Sequence, residues 1–215
     1  MASPPPPDPP MTKPLSILSF GASLVEGYSR YGMLMTPFSA TTKRVLDERL
    51  GKEFEVQVAT SGVSGQLVTR GFRERMGELY SSPSSDSSPY DWVVFLGGTN
   101  DIAYCVAPSK IYAEIRAITA VPLDSGARVL LLTIPECAYK DEANDSRRDE
   151  LNALIKGDGR EGVYTLDLHA LVPYHAMPED EREEIWDDGL HFTPKGYERV
   201  GSLVAERIVE IMRES

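Results

Sequence analysis

Five short apolar runs, each followed by a stretch of helical periodicity, divide this chain into alternating segments. The runs are residues 15–20, 54–59, 92–96, 128–133 and 163–168. Val93 to Leu96 and Val129 to Leu132 are continuous rather than alternating, the pattern of strands covered by helices on both faces. Strand and helix in alternation predict a parallel sheet with crossover helices, a three-layer α/β/α domain with a five-stranded sheet. The intervening helices are expected over 37–50, 67–80, 108–120, 146–156 and 194–213. In the last of them Val200, Leu203, Val204, Ile208 and Ile211 recur at three and four residues and form one apolar stripe. Gly51 stands where the helix before it needs a left-handed stop. No internal repeat is present, and the economical reading takes the strands in the order in which they alternate.

Length and charge narrow the function. At 215 residues one domain is expected over 15–215, preceded by a solvated, polyproline-like tail over 1–14 that holds seven prolines. With 22 Lys plus Arg against 33 Asp plus Glu the formal charge is −11, and the sequence pI is about 4.8. No basic cluster interrupts this negative field, which argues against nucleic acid and acidic membranes as partners. Two cysteines, Cys105 and Cys137, are too few for a disulfide framework and read as buried thiols. The tail lacks the apolar core of a signal peptide, and no run is long enough to span a bilayer, so a cytoplasmic location is the expectation. Residues 81–89, with six serines and two prolines, are expected as a surface loop.

In a parallel sheet, ligands collect outside the carboxyl ends of the strands. Four stretches fall there: Gly21 to Leu24, Ser61 to Gly65, Gly97 to Asp101, and Asp188 to Thr193 before the last helix. The chain has three histidines, and a general base working near neutral pH is most often one of them. Asp188 precedes His191 by three residues across Gly189, so a tight turn can set its carboxylate against the imidazole and fix the tautomer. Ser23 follows an apolar strand and a glycine, which places a hydroxyl and a backbone N–H at the mouth of the sheet. Ser64 is a rival nucleophile, although the segment around it lacks the second glycine of a G-x-S-x-G elbow. The Gly62 to Gly65 loop can expose a backbone N–H, and Asn100 offers a side-chain amide, as acyl transfer requires for its oxyanion. Taken singly, each feature has a plain structural reading: a turn serine, a permissive glycine, a capping Asn.

Together, these blocks resemble those of the SGNH hydrolases, the GDSL-type esterases and lipases, over nearly all of 15–215. Ser23 matches in Phe-Gly-Ala-Ser-Leu, Gly65 in Ser-Gly-Val-Ser-Gly-Gln, Asn100 in Gly-Gly-Thr-Asn-Asp, and His191 in Asp-Asp-Gly-Leu-His-Phe-Thr. The resemblance implies a flavodoxin-like fold, Ser23 as nucleophile, His191 as base and Asp188 as its orienting acid. It implies an oxyanion hole made of the Ser23 N–H, the Gly65 N–H and the Asn100 amide, with no cofactor and no metal. The partner it implies is a small-molecule ester, with acetylated sugars or short-chain alkyl and aryl esters as the leading forms. Acyltransferases and thioesterases share the fold and the motifs. Two positions depart from the family: Ala22 and Gln66 stand where Asp is usual, which raises the alternative of a catalytically weakened binding protein.

Other features compete for attention. His169 and His175, with Asp167 nearby, could suggest a metal site, but their spacing suits neither a helix face nor a strand face, and they read as loop residues. The charged stretch 139–150 is either a flap over the site or a solvated helix start. Tyr28, Tyr31, Met33, Met35, Tyr104, Tyr139 and Phe192 flank the motif loops and are candidates for an acyl or alcohol pocket, with core packing as the alternative.

Overall fold

The computed structural model describes residues 12–81 and 88–214, so most of the Pro-rich tail and of the Ser-rich stretch lies outside the described residues. In chain order the elements are β1 (Lys13–Gly21), α1 (Ser23–Glu26), β2 (Tyr28–Ser29), β3 (Leu34–Met35), α2 (Phe38–Leu50), β4 (Phe54–Gly62), α3 (Phe72–Tyr80) and β5 (Trp92–Leu96). They continue with α4 (Thr99–Ala103), α5 (Pro108–Asp124), β6 (Arg128–Leu132), α6 (Glu142–Lys156), β7 (Val163–Leu166), α7 (Leu168–Leu171), α8 (Glu179–Ile185) and α9 (Pro194–Glu214).

Five strands form one parallel sheet in the order β4-β1-β5-β6-β7. The layers are those expected, but the spatial order differs from a simple succession, because β4 lies outside β1. The reason is polarity: Glu55 and Gln57 of β4 are exposed, which suits an edge, whereas β1 and β5 carry Ile17, Leu18, Phe20, Val93 and Val94 fully buried and belong in the centre. β4 pairs with β1 along its whole length, from Lys13 opposite Phe54 to Gly21 opposite Gly62, so both strands run past their expected ends. Lys13 and Pro14, assigned to the tail from sequence, belong to β1.

One helical layer is formed by α2 with α9, and the other by α3, α5 and α6 packed in series. The stripe expected on α9 is buried at Val200, Val204, Ile208 and Ile211, while Leu203 is only partly covered. α3 starts at Phe72 rather than 67, because the Asp101 carboxylate captures the N–H groups of Val68 and Thr69 and holds 67–71 as a turn. The charged stretch after Tyr139 is a helix start: Asp141 caps α6, its Oδ1 accepting the Asn144 N–H at 2.9 Å. Gly51 adopts φ −63° and ψ −7°, not the left-handed stop expected, since its N–H continues the helical pattern onto the Asp47 carbonyl at 2.9 Å. Cys105 is exposed at a turn after α4, and Cys137 is only half-buried, so neither is the buried thiol expected.

Strand order reverses between β1 and β5, and such a switch point opens a crevice at the carboxyl edge. The segments that leave β1, β4 and β5 there are those that carry Ser23, Gly65 and Asn100.

Candidate active site

Ser23 opens α1 immediately after β1, where the helix has no acceptor for its N–H. Gly21 is required just before it: a Cβ there would sit 2.2 Å from the Leu96 carbonyl oxygen, so only glycine lets β1 and β5 converge under the serine. The partner loop, between α8 and α9, is closed by the Trp186 and Phe192 bridge and by the Asp187 N–H on the His191 carbonyl at 2.8 Å. Within it Asp188 Oδ1 accepts the N–H groups of Leu190 at 3.0 Å and His191 at 2.8 Å. Its Oδ2 lies 2.8 Å from His191 Nδ1, and His191 Nε2 lies 3.0 Å from Ser23 Oγ. The three side chains therefore form one hydrogen-bonded line. With Asp188 accepting at Nδ1, the ring carries that proton and turns an acceptor nitrogen toward the serine.

Electrostatics agree with this arrangement. Burial pushes the Asp188 carboxyl up, but donors from His191 and Leu190 outweigh it and hold the group below the ordinary carboxylate value, ionised at neutral pH. The Tyr28 ring lies over the imidazole, centroids 4.6 Å apart, and is anchored by the buried Tyr197 hydroxyl donating to the Tyr28 carbonyl at 2.8 Å. The hairpin of β2 and β3 is tied to the loop of Asp188 and His191 through the Arg30 N–H on Asp187 Oδ2 at 2.5 Å.

Gly65 has φ +75°, a conformation that favours glycine, and among the described residues its N–H makes no hydrogen bond. Asn100 Nδ2 donates to the Gln66 carbonyl at 2.9 Å, which spends one of its two hydrogens and orients the other. Ser64, the rival nucleophile, has its hydroxyl on Glu26 Oε2, which also accepts the Ser64 N–H at 3.0 Å. Ser64 therefore braces the loop and does not meet His191.

Several supports were not foreseen from sequence. Arg75 of α3 donates to the Gly21 carbonyl at 2.8 Å, to the Ser61 carbonyl at 2.5 Å and to Gln66 Oε1 at 3.1 Å. Its guanidinium also lies over the Phe20 ring, 4.1 Å from the centroid. Burial lowers the Arg75 pKa to about 10, partly offset by Glu26, and leaves it charged at neutral pH. Asp101, fully buried, accepts from Val68, Thr69 and the Thr69 hydroxyl and fixes the other flank of the Gly65 loop. Gln66 is thus a working part of this frame, and Ala22 packs against the core.

The remaining candidates fall elsewhere. Phe192 is core, fully buried against Trp186 and Tyr197, while Tyr31, Met33, Met35, Tyr104 and Tyr139 are exposed. A cavity of about 90 Å³ opens beside Asn100 and is lined instead by Ile102, Ile134, Cys137, Arg148 and Leu190. Of these only Leu190 lay inside a sequence motif. His169 is in α7, not a loop, with Nδ1 3.3 Å from the Ile134 carbonyl, and the His175 N–H donates to Glu136 at 2.9 Å. Among the described residues no group of three or more His, Cys, Asp or Glu side chains could hold a metal ion. Nor is any described helix long and apolar enough to cross a membrane.

Comparison with known proteins agrees with this fold. The chain belongs to the GDSL-like Lipase/Acylhydrolase family, whose model matches residues 19–199. Among solved structures it is similar to the aryl esterase of M. smegmatis, at 22% identity and a TM-score of 0.65 over 91% of this chain and 99% of that one. It is also similar to a carbohydrate acetylesterase from Sinorhizobium meliloti, at 18% identity and 0.65 over 92% and 99%. A third is the lipase/acylhydrolase from Enterococcus faecalis, at 24% and 0.61 over 90% and 95%. At these identities the likeness is one of fold. No curated protein gives a significant match.

Proposed function

We propose that this protein is a serine esterase that cleaves short-chain carboxylic esters through an acyl-enzyme on Ser23. The observation that carries the reading is the hydrogen-bonded line from Asp188 through His191 to Ser23 at 2.8 and 3.0 Å. In this reading Ser23 Oγ attacks the ester carbonyl carbon while His191 Nε2 takes its proton, and Asp188 stabilises the imidazolium. The carbonyl oxygen gains charge as the tetrahedral intermediate forms and is met by the N–H groups of Ser23 and Gly65 and by the Asn100 amide. Collapse breaks the ester C–O bond, and His191 returns the proton to the departing alcohol. Water then attacks the acyl-enzyme with His191 again as base, and Ser23 is restored.

In this reading the acyl group enters the cavity beside Asn100, and its volume of about 90 Å³ favours a short chain. Esterase and acetylesterase descriptions of the structural neighbours favour acetyl or similarly small acyl groups on sugar or aryl alcohols. The intact hydrogen-bonded line speaks against a weakened binding protein. The test compares 4-nitrophenyl acetate, butyrate and octanoate with wild type and a folded Ser23→Ala variant. Rates that fall with chain length and vanish with the serine are expected. Equal rates for both proteins would overturn the reading. Adding an alcohol acceptor and measuring its partition against water separates hydrolysis from acyl transfer.

A further inference from the structure

The cavity beside Asn100 has one wall that an ordinary acetyl or alkyl pocket does not need. Asn100 and Leu190 belong to it, so it borders both the proposed oxyanion site and the loop that holds His191. This inference therefore rests on the esterase reading above: an ester whose carbonyl oxygen lies on the Asn100 amide sends its acyl chain into this space. Its volume of about 90 Å³ is several times the ~10–15 Å³ of probe-occupied space that one water needs. That suits a short acyl chain. Ile102, Ile134 and Leu190 make most of the lining apolar.

Thr99, Asn100 and Asn144 add polar groups, and Arg148, from α6, is the one charged residue of the lining. It is 7% exposed, among the most buried charged side chains in the chain, and it lines the cavity. Its Nη2 pairs with Asp145 and its Nε is sealed within the protein, while Nη1 makes no hydrogen bond among the described residues and is not sealed. Nη1 is thus a donor that no protein group satisfies, and a group that enters the cavity can meet it. The Asp145 carboxylate already balances the positive charge of Arg148, and the chain as a whole carries −11. A second carboxylate would find no net countercharge here. A neutral oxygen would find a donor.

We propose that Arg148 is a specificity-determining residue, and that the pocket takes short acyl groups bearing a neutral hydrogen-bond acceptor, a hydroxyl or carbonyl oxygen, two or three carbons from the ester carbonyl. The hydroxyl oxygen accepts from the guanidinium while the alkyl part packs on Ile102, Ile134 and Leu190. A site built around such a donor discriminates strongly against analogues that lack the acceptor, because the donor is then left unpaired.

The test uses 4-nitrophenyl 3-hydroxybutanoate against 4-nitrophenyl 3-methylbutanoate, which replaces the hydroxyl with a methyl of similar size, and adds 4-nitrophenyl hemisuccinate. The quantity read is the ratio of kcat/KM for the hydroxy and methyl esters, divided by the same ratio for uncatalysed hydrolysis, which removes the inductive effect of the hydroxyl. A value of at least ten is expected for wild type, and a value near one for Arg148→Met. Because a ratio does not depend on how much active protein is present, partial misfolding of the variant does not blur it, and the wild-type value stands without the variant. A wild-type value near one, an unchanged ratio in Arg148→Met, or hemisuccinate as the best substrate would overturn the inference alone. Absence of Ser23-dependent hydrolysis for every ester in the set would overturn the esterase reading and this inference with it.

Discussion

Asp188 grips His191 at two points at once, Oδ1 on its backbone N–H and Oδ2 at its ring Nδ1, each at 2.8 Å. A single carboxylate thus sets both the position of the residue and the tautomer of its ring. Asp188→Asn keeps the size but can present an N–H to Nδ1, which turns the donor nitrogen toward Ser23. A loss of about 10⁴-fold in kcat is expected, with KM little changed, as measured on 4-nitrophenyl acetate. A loss under tenfold would mean that the imidazole does not act as the base.

Asn100 supplies the side-chain donor of the proposed oxyanion hole, and its amide is preset by the bond to the Gln66 carbonyl at 2.9 Å. Asn100→Ala removes the donor and leaves the triad line intact. The expected cost is about 10²–10³-fold in kcat, while labelling of Ser23 by a fluorophosphonate slows rather than stops. Full esterase activity in the variant would exclude the amide from the reaction.

Much of the architecture was readable because parallel strands buried on both faces leave continuous apolar runs, and the runs at β5 and β6 coincide with those strands almost to the residue. The motif loops were readable for a related reason, as each follows directly from a strand end. The spatial order was harder, because it depends on which strand tolerates an open edge, and Glu55 with Gln57 was the one signal. Arg75 was invisible: in α3 it stands among Arg73, Glu74 and Glu78, and such charges usually mark a solvated face. The cavity walls were only partly legible: Leu190 lies in a motif and Arg148 in the charged stretch 139–150, but Cys137, in the segment after β6, and Arg148, in α6, meet beside Asn100 only in the folded chain.

Arg75 joins the ends of β1 and β4 to Gln66, three segments that must keep register for Ser23 and Gly65 to face one substrate. It touches no reacting atom, so its role is positioning. Arg75→Lys keeps the charge but loses the planar fork that reaches several acceptors at once. A fall of about 10²-fold in kcat is expected, the size that a ~1 Å misplacement produces, with KM within about threefold on that ground. A purely structural role would lower the fraction of titratable active sites and leave kcat per active site unchanged, so active-site titration decides between them.

Asp158 offers a test of stability away from the proposed chemistry. Its buried carboxylate accepts from the Arg160 guanidinium, Nε on Oδ1 at 2.9 Å and Nη2 on Oδ2 at 2.6 Å, and from the Arg160 backbone N–H at 3.2 Å, and Arg160 in turn donates to the Arg116 carbonyl and the Thr119 hydroxyl within α5. Burial pushes the Asp158 carboxyl up, but Arg160 prevails and holds it below its ordinary value of 3.8. A carboxyl lowered in the native state binds fewer protons there than in the unfolded chain, so its contribution is full above that ordinary value and is lost as pH falls through the native one. Asp158→Ala leaves the guanidinium without its ionic partner and is expected to cost about 3 kcal/mol at pH 7. In thermal unfolding the gap between variant and wild type should stay constant from pH 7 to pH 5 and shrink below 3.8. A gap that persists undiminished to the lowest pH at which both proteins fold would assign the loss to packing rather than to the ion pair.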